Sequence, residues 1–237
     1  MHETNSVAPH NSILQAVTRQ NEAFCNLTGE AKTRFASLGI ERIYRRGETV
    51  FREGEVPQYV FMLQSGRVKL SVSSREGRTV ILRIADPGQV LGLNSALAGS
   101  EHEASAEALE PCRIVAIPVR DFLRFLETYP DAAVAATRCV LNEYQMIFSD
   151  ICRLALPTTV AGRLANLLLV WLKRSCHPGQ APRLTVALTH GEIADLTGTS
   201  RETVSRTLQQ FQRDRVIRIK GASLTVLRPE ALEHLAV

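Results

Sequence analysis

The sequence predicts an α+β chain: an N-terminal β-roll of jelly-roll type, one long helix, and a C-terminal winged helix-turn-helix. Three observations predict it. Short apolar runs divided by glycine turns occupy residues 40–118. A single helical pattern then runs from about Asp131 to Leu156 and stops at Pro157, which lacks the donor N–H a helix needs. Residues 189–214 read THGEIADLTGTSRETVSRTLQQFQRD, a helix, a glycine turn and a second helix.

The expected organisation is a flexible tail over 1–21, the β-roll over 22–130, a dimerisation helix over 131–156, and a DNA-binding domain over 157–237. In the roll, Ile43-Tyr44 leads to Arg45-Arg46-Gly47-Glu48, and Val50-Phe51 leads to Glu53-Gly54-Glu55. Tyr59 to Leu63 leads to Ser65-Gly66, after which Val68, Leu70 and Val72 alternate with Arg67, Lys69 and Ser71. That alternation is the period of a half-buried strand. Thr79–Ile84 and Cys112–Ile117 complete the set, and Glu30–Ser37 and Val119–Tyr129 have helical spacing. In the long helix Val140, Tyr144, Ile147, Ile151 and Leu154 are spaced 4, 3, 4, 3. This is a coiled-coil seam of about two heptads, and it predicts a homodimer.

The helix-turn-helix is written in local chemistry. Thr189 with Glu192 is a capping box, so a helix starts there. Gly198 turns the chain, and Thr199 or Ser200 caps the second helix, whose buried stripe is Val204, Leu208 and Phe211. That leaves Arg201, Glu202, Ser205 and Arg206 on the opposite side, where helix-turn-helix proteins read base edges. Arg can bond guanine O6 and N7, Glu can accept from cytosine N4, and Ser suits several bases. Thr189, Thr199 and Ser200 stand at helix starts suited to phosphates. Val216–Lys220, a turn at Gly221-Ala222, and Ser223–Leu227 read as a hairpin wing, with Arg218 and Lys220 available to the phosphate backbone.

Charge agrees with double-stranded DNA as partner. From Pro157 onward there are 11 Lys/Arg against 6 Asp/Glu, while the preceding residues hold 17 against 18. A near-neutral front and a basic back direct the back to a polyanion. The hydrophobic fraction of 45% and charged fraction of 22% are ordinary for a globular chain. No run approaches the roughly 20 apolar residues of a membrane span. The start, Met1-His2-Glu3-Thr4-Asn5, lacks a basic segment followed by an apolar one, so a cytoplasmic location is expected. The five cysteines, Cys25, Cys112, Cys139, Cys152 and Cys176, form no Cys-x-x-Cys pair and no zinc spacing, and no metal site is expected. The alternative class is a small-molecule-binding protein or enzyme with a basic interaction module. Against an enzyme, the chain has no P-loop, no dinucleotide-binding glycine fingerprint, no G-x-S-x-G and no H-E-x-x-H.

RRGETVFREGE and FMLQSGRVKL in the roll, the helix ended at Pro157, and TSRETVSRTL in the second helix resemble the Crp/Fnr superfamily of bacterial regulators. The resemblance covers roughly residues 22–235. It implies a cyclic-nucleotide-binding-like roll that senses an effector, a homodimer paired through the long helix, and contact with RNA polymerase. It also implies an inverted-repeat operator whose half-sites share a TGA core. Arg206 is then expected on the guanine and Glu202 on the cytosine paired with it. Arg201 matches the cyclic-AMP-binding type, which favours TGTGA; Ser205 matches the oxygen-sensing type, which favours TTGAT.

Two departures bear on the effector. The cyclic-AMP-binding type carries Gly-Glu and, after a short loop, an arginine that pairs with the cyclic phosphate. Here Gly92 precedes Leu93, the arginine position falls at His102 or Glu103, and no arginine occurs between Arg83 and Arg113. Glu101 and Glu103 would repel a phosphate, so cyclic AMP is not expected. The oxygen-sensing type holds an iron–sulfur cluster on several N-terminal cysteines and one in the roll. Only Cys25 and, about three residues out of place, Cys112 fall near those positions, and four thiolates are the usual requirement, so no cluster is expected. Haem, another small molecule, a redox event at a cysteine, or no effector stay open.

Overall fold

A computed structural model describes Phe24, Leu27 and residues 29–74, 79–155, 159–175, 183–185, 188–220 and 223–236. The expected tail, Pro157 and the Gly221-Ala222 turn lie outside these residues. The chain divides into two compact units. Residues up to Val72 with Arg83–Gln145 form one, and Ser73–Leu82 with Met146 onward form the other.

The N-terminal part of the described chain has helix α1 (Gly29–Ser37) and strands β1 (Ile40–Tyr44), β2 (Thr49–Phe51), β3 (Tyr59–Ser65), β4 (Val68–Ser73), β5 (Thr79–Ala85), β6 (Val90–Leu91), β7 (Ser105–Ala108) and β8 (Cys112–Pro118). They make two four-stranded sheets, ordered β1-β8-β3-β6 and β2-β7-β4-β5. Strands β3 and β8 pair antiparallel from Tyr59 opposite Pro118 onward. Their near-continuous apolar runs follow from burial on both faces. Phe61, Leu63, Ile114 and Ala116 pack with Phe51, Val68, Leu70, Ala106 and Ala108 inside the roll. Val60, Met62, Val115 and Ile117 point the other way, onto Phe24, Phe35, Phe122 and Phe125. These phenylalanines form an aromatic layer, with Phe24 stacked on Phe35 at 4.9 Å and Phe125 at 5.3 Å from Phe35. Gly66, at φ 84, ends the β3–β4 turn, and a Cβ there would lie 2.6 Å from the Cys112 Sγ.

Three short elements escape the sequence pattern: β6, β7 and helix α2 (Leu93–Ala98). Strand β7 reads SAEA, without a β-branched residue. It is a strand because β2 and β4 pair with it on either side and because its small Ala106 and Ala108 fit the filled interior.

Helix α3 (Val119–Thr128) and the 26-residue α4 (Pro130–Ala155) follow, α4 opening on a proline whose fixed φ suits a first helical position. Along α4 the apolar residues fall into two stripes. Ala132, Ala135 and Ala136, with Cys139 and Val140, pack on the aromatic layer of their own unit. Val134, Leu141, Tyr144 and Phe148 are exposed. The expected seam therefore mixes the two sides. Val140 is turned to the roll and Ile147 is half-buried, whereas Tyr144 is on the outer stripe; the Ile151 and Leu154 side chains lie outside the description. The inner stripe is anchored by a buried ion pair, Arg83 to Glu143, with Arg83 also donating to Gln89 Oε1 at 3.1 Å. Breaking such a pair leaves one buried charge uncompensated, so it fixes where α4 lies on the roll.

The second unit holds α5 (Val160–Ser175), β9 (Arg183–Thr185), α6 (His190–Thr197), α7 (Arg201–Arg213), β10 (Ile217–Lys220), β11 (Ser223–Val226) and α8 (Pro229–Leu235). Leu164, Leu168, Ile193, Leu196, Val204, Leu208, Phe211, Ile217, Leu224 and Leu232 supply its buried side chains. The expected two-stranded wing is a three-stranded antiparallel sheet, ordered β10-β11-β9. Strand β9 is three residues long, too short for any period to show. No described helix is long and apolar enough to cross a membrane.

Candidate nucleic-acid interface

The interface is assembled from the start of α6, the turn after it, and α7. Thr189 caps α6: its Oγ1 accepts from the Glu192 N–H at 3.2 Å, and Glu192 Oε2 accepts from the Thr189 N–H at 2.8 Å. This is the expected capping box. Helix α6 ends at Gly198 in the left-handed conformation, φ 61. The Ala194 carbonyl accepts from the Gly198 N–H and, at 3.0 Å, from the Thr199 N–H. Of the two expected caps for α7, Ser200 is the one used: its Oγ accepts from the Thr203 N–H at 3.2 Å, while Thr199 is half-buried in the turn.

Val204, Leu208 and Phe211 are buried, so α7 can show only its other side. On that side Arg201, Glu202 and Arg206 are exposed and Ser205 is half-exposed. Glu202 is held below the usual carboxylate range by hydrogen bonds from its own backbone N–H and from the Ser200 hydroxyl, with Arg201 and Arg206 adding to the effect. It stays ionised and therefore acts only as an acceptor. On β10, Arg218 and Lys220 are both exposed, two residues apart and so on one face of the strand. Sequence reasoning missed His190, whose Nδ1 lies 2.8 Å from the Ser205 Oγ. No local signal could have shown this contact, because the partners are fifteen residues apart and meet only through the crossing of α6 and α7.

In the first unit, His102 is buried, and its ring stacks on Phe51 with centroids 3.9 Å apart. Its backbone N–H donates to the Glu55 carbonyl, and its carbonyl accepts from the Gly54 N–H, both at 2.9 Å. The ring also lies against Gly92, where a Cβ would sit 2.9 Å from His102 Cε1. Burial lowers the imidazole pKa against the pull of Glu55. Cys112 is buried, donates to the Glu110 carbonyl at 3.1 Å, and has its thiol pKa raised by that burial. Among the described residues, no three His, Cys, Asp or Glu side chains gather as a metal site would need.

A β-roll followed in the chain by a winged helix-turn-helix with this polar row defines a DNA-binding transcription regulator. The comparisons agree. Residues 41–129 match the cyclic nucleotide-binding domain and residues 162–235 the Crp-like helix-turn-helix domain. The CRP-like cAMP-activated global transcriptional regulator of Mycobacterium tuberculosis is 32% identical over 195 residues, covering 81% of this chain and 86% of that protein. The nitrogen fixation regulation protein FixK of Bradyrhizobium diazoefficiens is 27% identical over 232 residues, 97% of this chain and 96% of that one. The structure of FixK2 from Bradyrhizobium japonicum has the same fold, with a TM-score of 0.75 at 24% identity over 84% of this chain and 98% of that one. The chain belongs to the Crp/Fnr superfamily of bacterial transcription regulators.

The turn generates a stability prediction. A Cβ on Gly198 meets nothing within 4 Å, so Gly198→Ala costs only the left-handed backbone. That is about 1–2 kcal/mol. Thr189→Ala, which removes the capping box, costs about 1 kcal/mol. Urea unfolding of the purified variants reads both. An unchanged Gly198→Ala midpoint would contradict the left-handed turn.

Proposed function

We propose that the protein acts as a homodimer on an inverted-repeat operator whose half-sites share a TGA core. The observation that carries this reading is the polar row Arg201, Glu202, Ser205 and Arg206, exposed opposite a fully buried stripe on α7. Arg206 takes the guanine of the core and Glu202 the cytosine paired with it. Thr189, Thr199, Ser200, Arg218 and Lys220 hold phosphates. A two-fold protein requires a two-fold operator, with half-site centres about 34–36 Å apart. The site of action is the cytoplasm, and membership of the superfamily supports RNA polymerase as a further partner.

The outer stripe of α4 supports the dimer. Val134, Leu141 and Phe148 recur every seven residues with Tyr144 between them, a heptad seam that stays exposed while the other stripe is committed to the roll. The effector is proposed to be something other than a cyclic nucleotide held by its phosphate. Burial disfavours the charged form of His102, whose ring fills the space beside Phe51 and Gly92, and the two arginines that flank it in sequence, Arg83 and Arg113, are paired with Glu143 and Glu41. An iron–sulfur cluster is not proposed, since Cys112 is buried and bonded to a carbonyl.

In vitro selection of DNA sites by the purified protein tests the operator. Arg206→Ala should cost about 1–3 kcal/mol and relax preference at one base pair. Lys220→Ala should weaken binding to all sequences and lower the salt slope by about one unit. Equal loss on every sequence for Arg206→Ala would make it a phosphate contact. Leu141→Glu with Tyr144→Glu should sediment as a monomer and bind the operator weakly; a dimeric double variant would place the interface elsewhere. Calorimetric titration with cyclic AMP and cyclic GMP should be silent, and saturable heat from either would overturn the reading of His102.

A further inference from the structure

His190 is the first residue of α6, directly after the Thr189 cap, and it is exposed. Ser205 lies in the second turn of α7, on the same side as Glu202 and Arg206. A serine inside a helix commonly returns its hydroxyl to the carbonyl four residues back, as Thr207 does to Thr203 at 2.8 Å. Ser205 has another partner: its Oγ lies 2.8 Å from His190 Nδ1. The contact ties the base-reading row to a residue of the preceding helix.

A hydroxyl has one hydrogen and two lone pairs, so the direction of that hydrogen decides whether Ser205 donates to a base or accepts from it. A neutral imidazole has one acceptor nitrogen and one N–H, and the bond made by one nitrogen sets the role of the other. His190 is at the amino end of α6, which the proposed docking directs to the DNA backbone, so a phosphate oxygen would be the natural acceptor for an Nε2–H. With the hydrogen on Nε2, Nδ1 can only accept. The Ser205 hydrogen then goes to His190, and the Ser205 oxygen faces the groove with lone pairs alone.

We propose that His190 is a positioning residue for sequence reading, which holds Ser205 as an acceptor so that Ser205 selects adenine or cytosine, the bases with an exocyclic amine in the major groove. The inference rests on the assignment of α7 as the base-reading helix. It adds to that assignment a residue outside α7 that controls what one position of the row can recognise.

The test uses the full-length protein and operator variants from site selection, read by equilibrium binding. If the wild-type protein shows no preference at any base pair, the base-reading assignment itself fails, and that outcome differs from every one below. Given an operator, Ser205→Ala identifies the base pair Ser205 reads, with discrimination there falling about two- to tenfold. His190→Ala should lose discrimination at that same base pair, by a similar factor, and at no other. The double variant should lose no more than either single one. His190→Asn, whose amide places a polar atom near Nδ1, should retain most of the preference, and His190→Gln, which reaches the Nε2 position, should not. A His190→Ala variant that binds every operator equally more weakly, with its base preferences intact, would overturn the proposal. So would additive losses in the double variant.

Discussion

The turn at Thr197-Gly198 is the constraint on which the interface depends. Helix α7 can expose its polar row only if the chain leaves α6 sharply enough to bring Val204, Leu208 and Phe211 back onto the core of the unit. Gly198 makes that exit at φ 61, a conformation that costs a residue with a side chain about 1–2 kcal/mol. The turn is then secured from three sides. The Ala194 carbonyl takes two N–H donors, the Thr197 hydroxyl donates to the Ile193 carbonyl at 2.7 Å, and Arg163 Nε of α5 donates to the Thr197 carbonyl at 2.8 Å. Thr197 is fully buried, so each of these bonds also satisfies a group that water cannot reach. The orientation of α7 is thus set by backbone geometry within the unit itself.

This explains what was legible in the sequence. Caps, the capping box and the turn glycine are chemistry between residues two to five positions apart, so Thr189, Glu192 and Gly198 could be assigned from spacing alone, and the cap of α7 narrowed to Thr199 or Ser200. The alternating strand Val68–Val72 was legible for the same reason. What escaped depends on distant partners. Strand β7 is a strand only because β2 and β4 flank it, and β9 only because β11 does. The His190–Ser205 bond needs two helices to cross. On α4 the difficulty was different. A helix carrying one stripe for its own unit and another on the outside offers several apolar spacings of 3 and 4. Val140 shares such a spacing with Tyr144 although it packs on the roll, and only the packing of Ala132, Ala135, Ala136 and Cys139 tells the stripes apart.

The fold of the roll does not by itself fix the chemistry of a ligand. Its interior is built from residues of both sheets, and nothing in that packing requires a charged ligand. His102, one of the two positions to which the superfamily resemblance leads for an arginine on a cyclic phosphate, carries an imidazole whose pKa burial lowers and that stacks on Phe51. The ring is in turn accommodated by Gly92, whose missing Cβ leaves room for it. Fold membership and ligand chemistry are therefore separate statements here, and the second must be read from Phe51, Gly92 and His102 themselves.

The two units also use their basic residues in opposite ways. In the roll several cations are paired: Arg67 with Glu110, Lys69 with Glu107, Arg83 with Glu143 and Arg113 with Glu41. A paired cation has little field left for a distant anion. In the winged unit, among the described residues, no ion pair within 4 Å engages Arg201, Arg206, Arg218 or Lys220, and all four are exposed. Exposed cations of this kind attract a polyanion and release its condensed counterions on contact. The small net charge of +4 therefore understates the polarity of the molecule. Exposed cations beside α7, a helix whose orientation is already set, give the winged unit a surface suited to a polyanion.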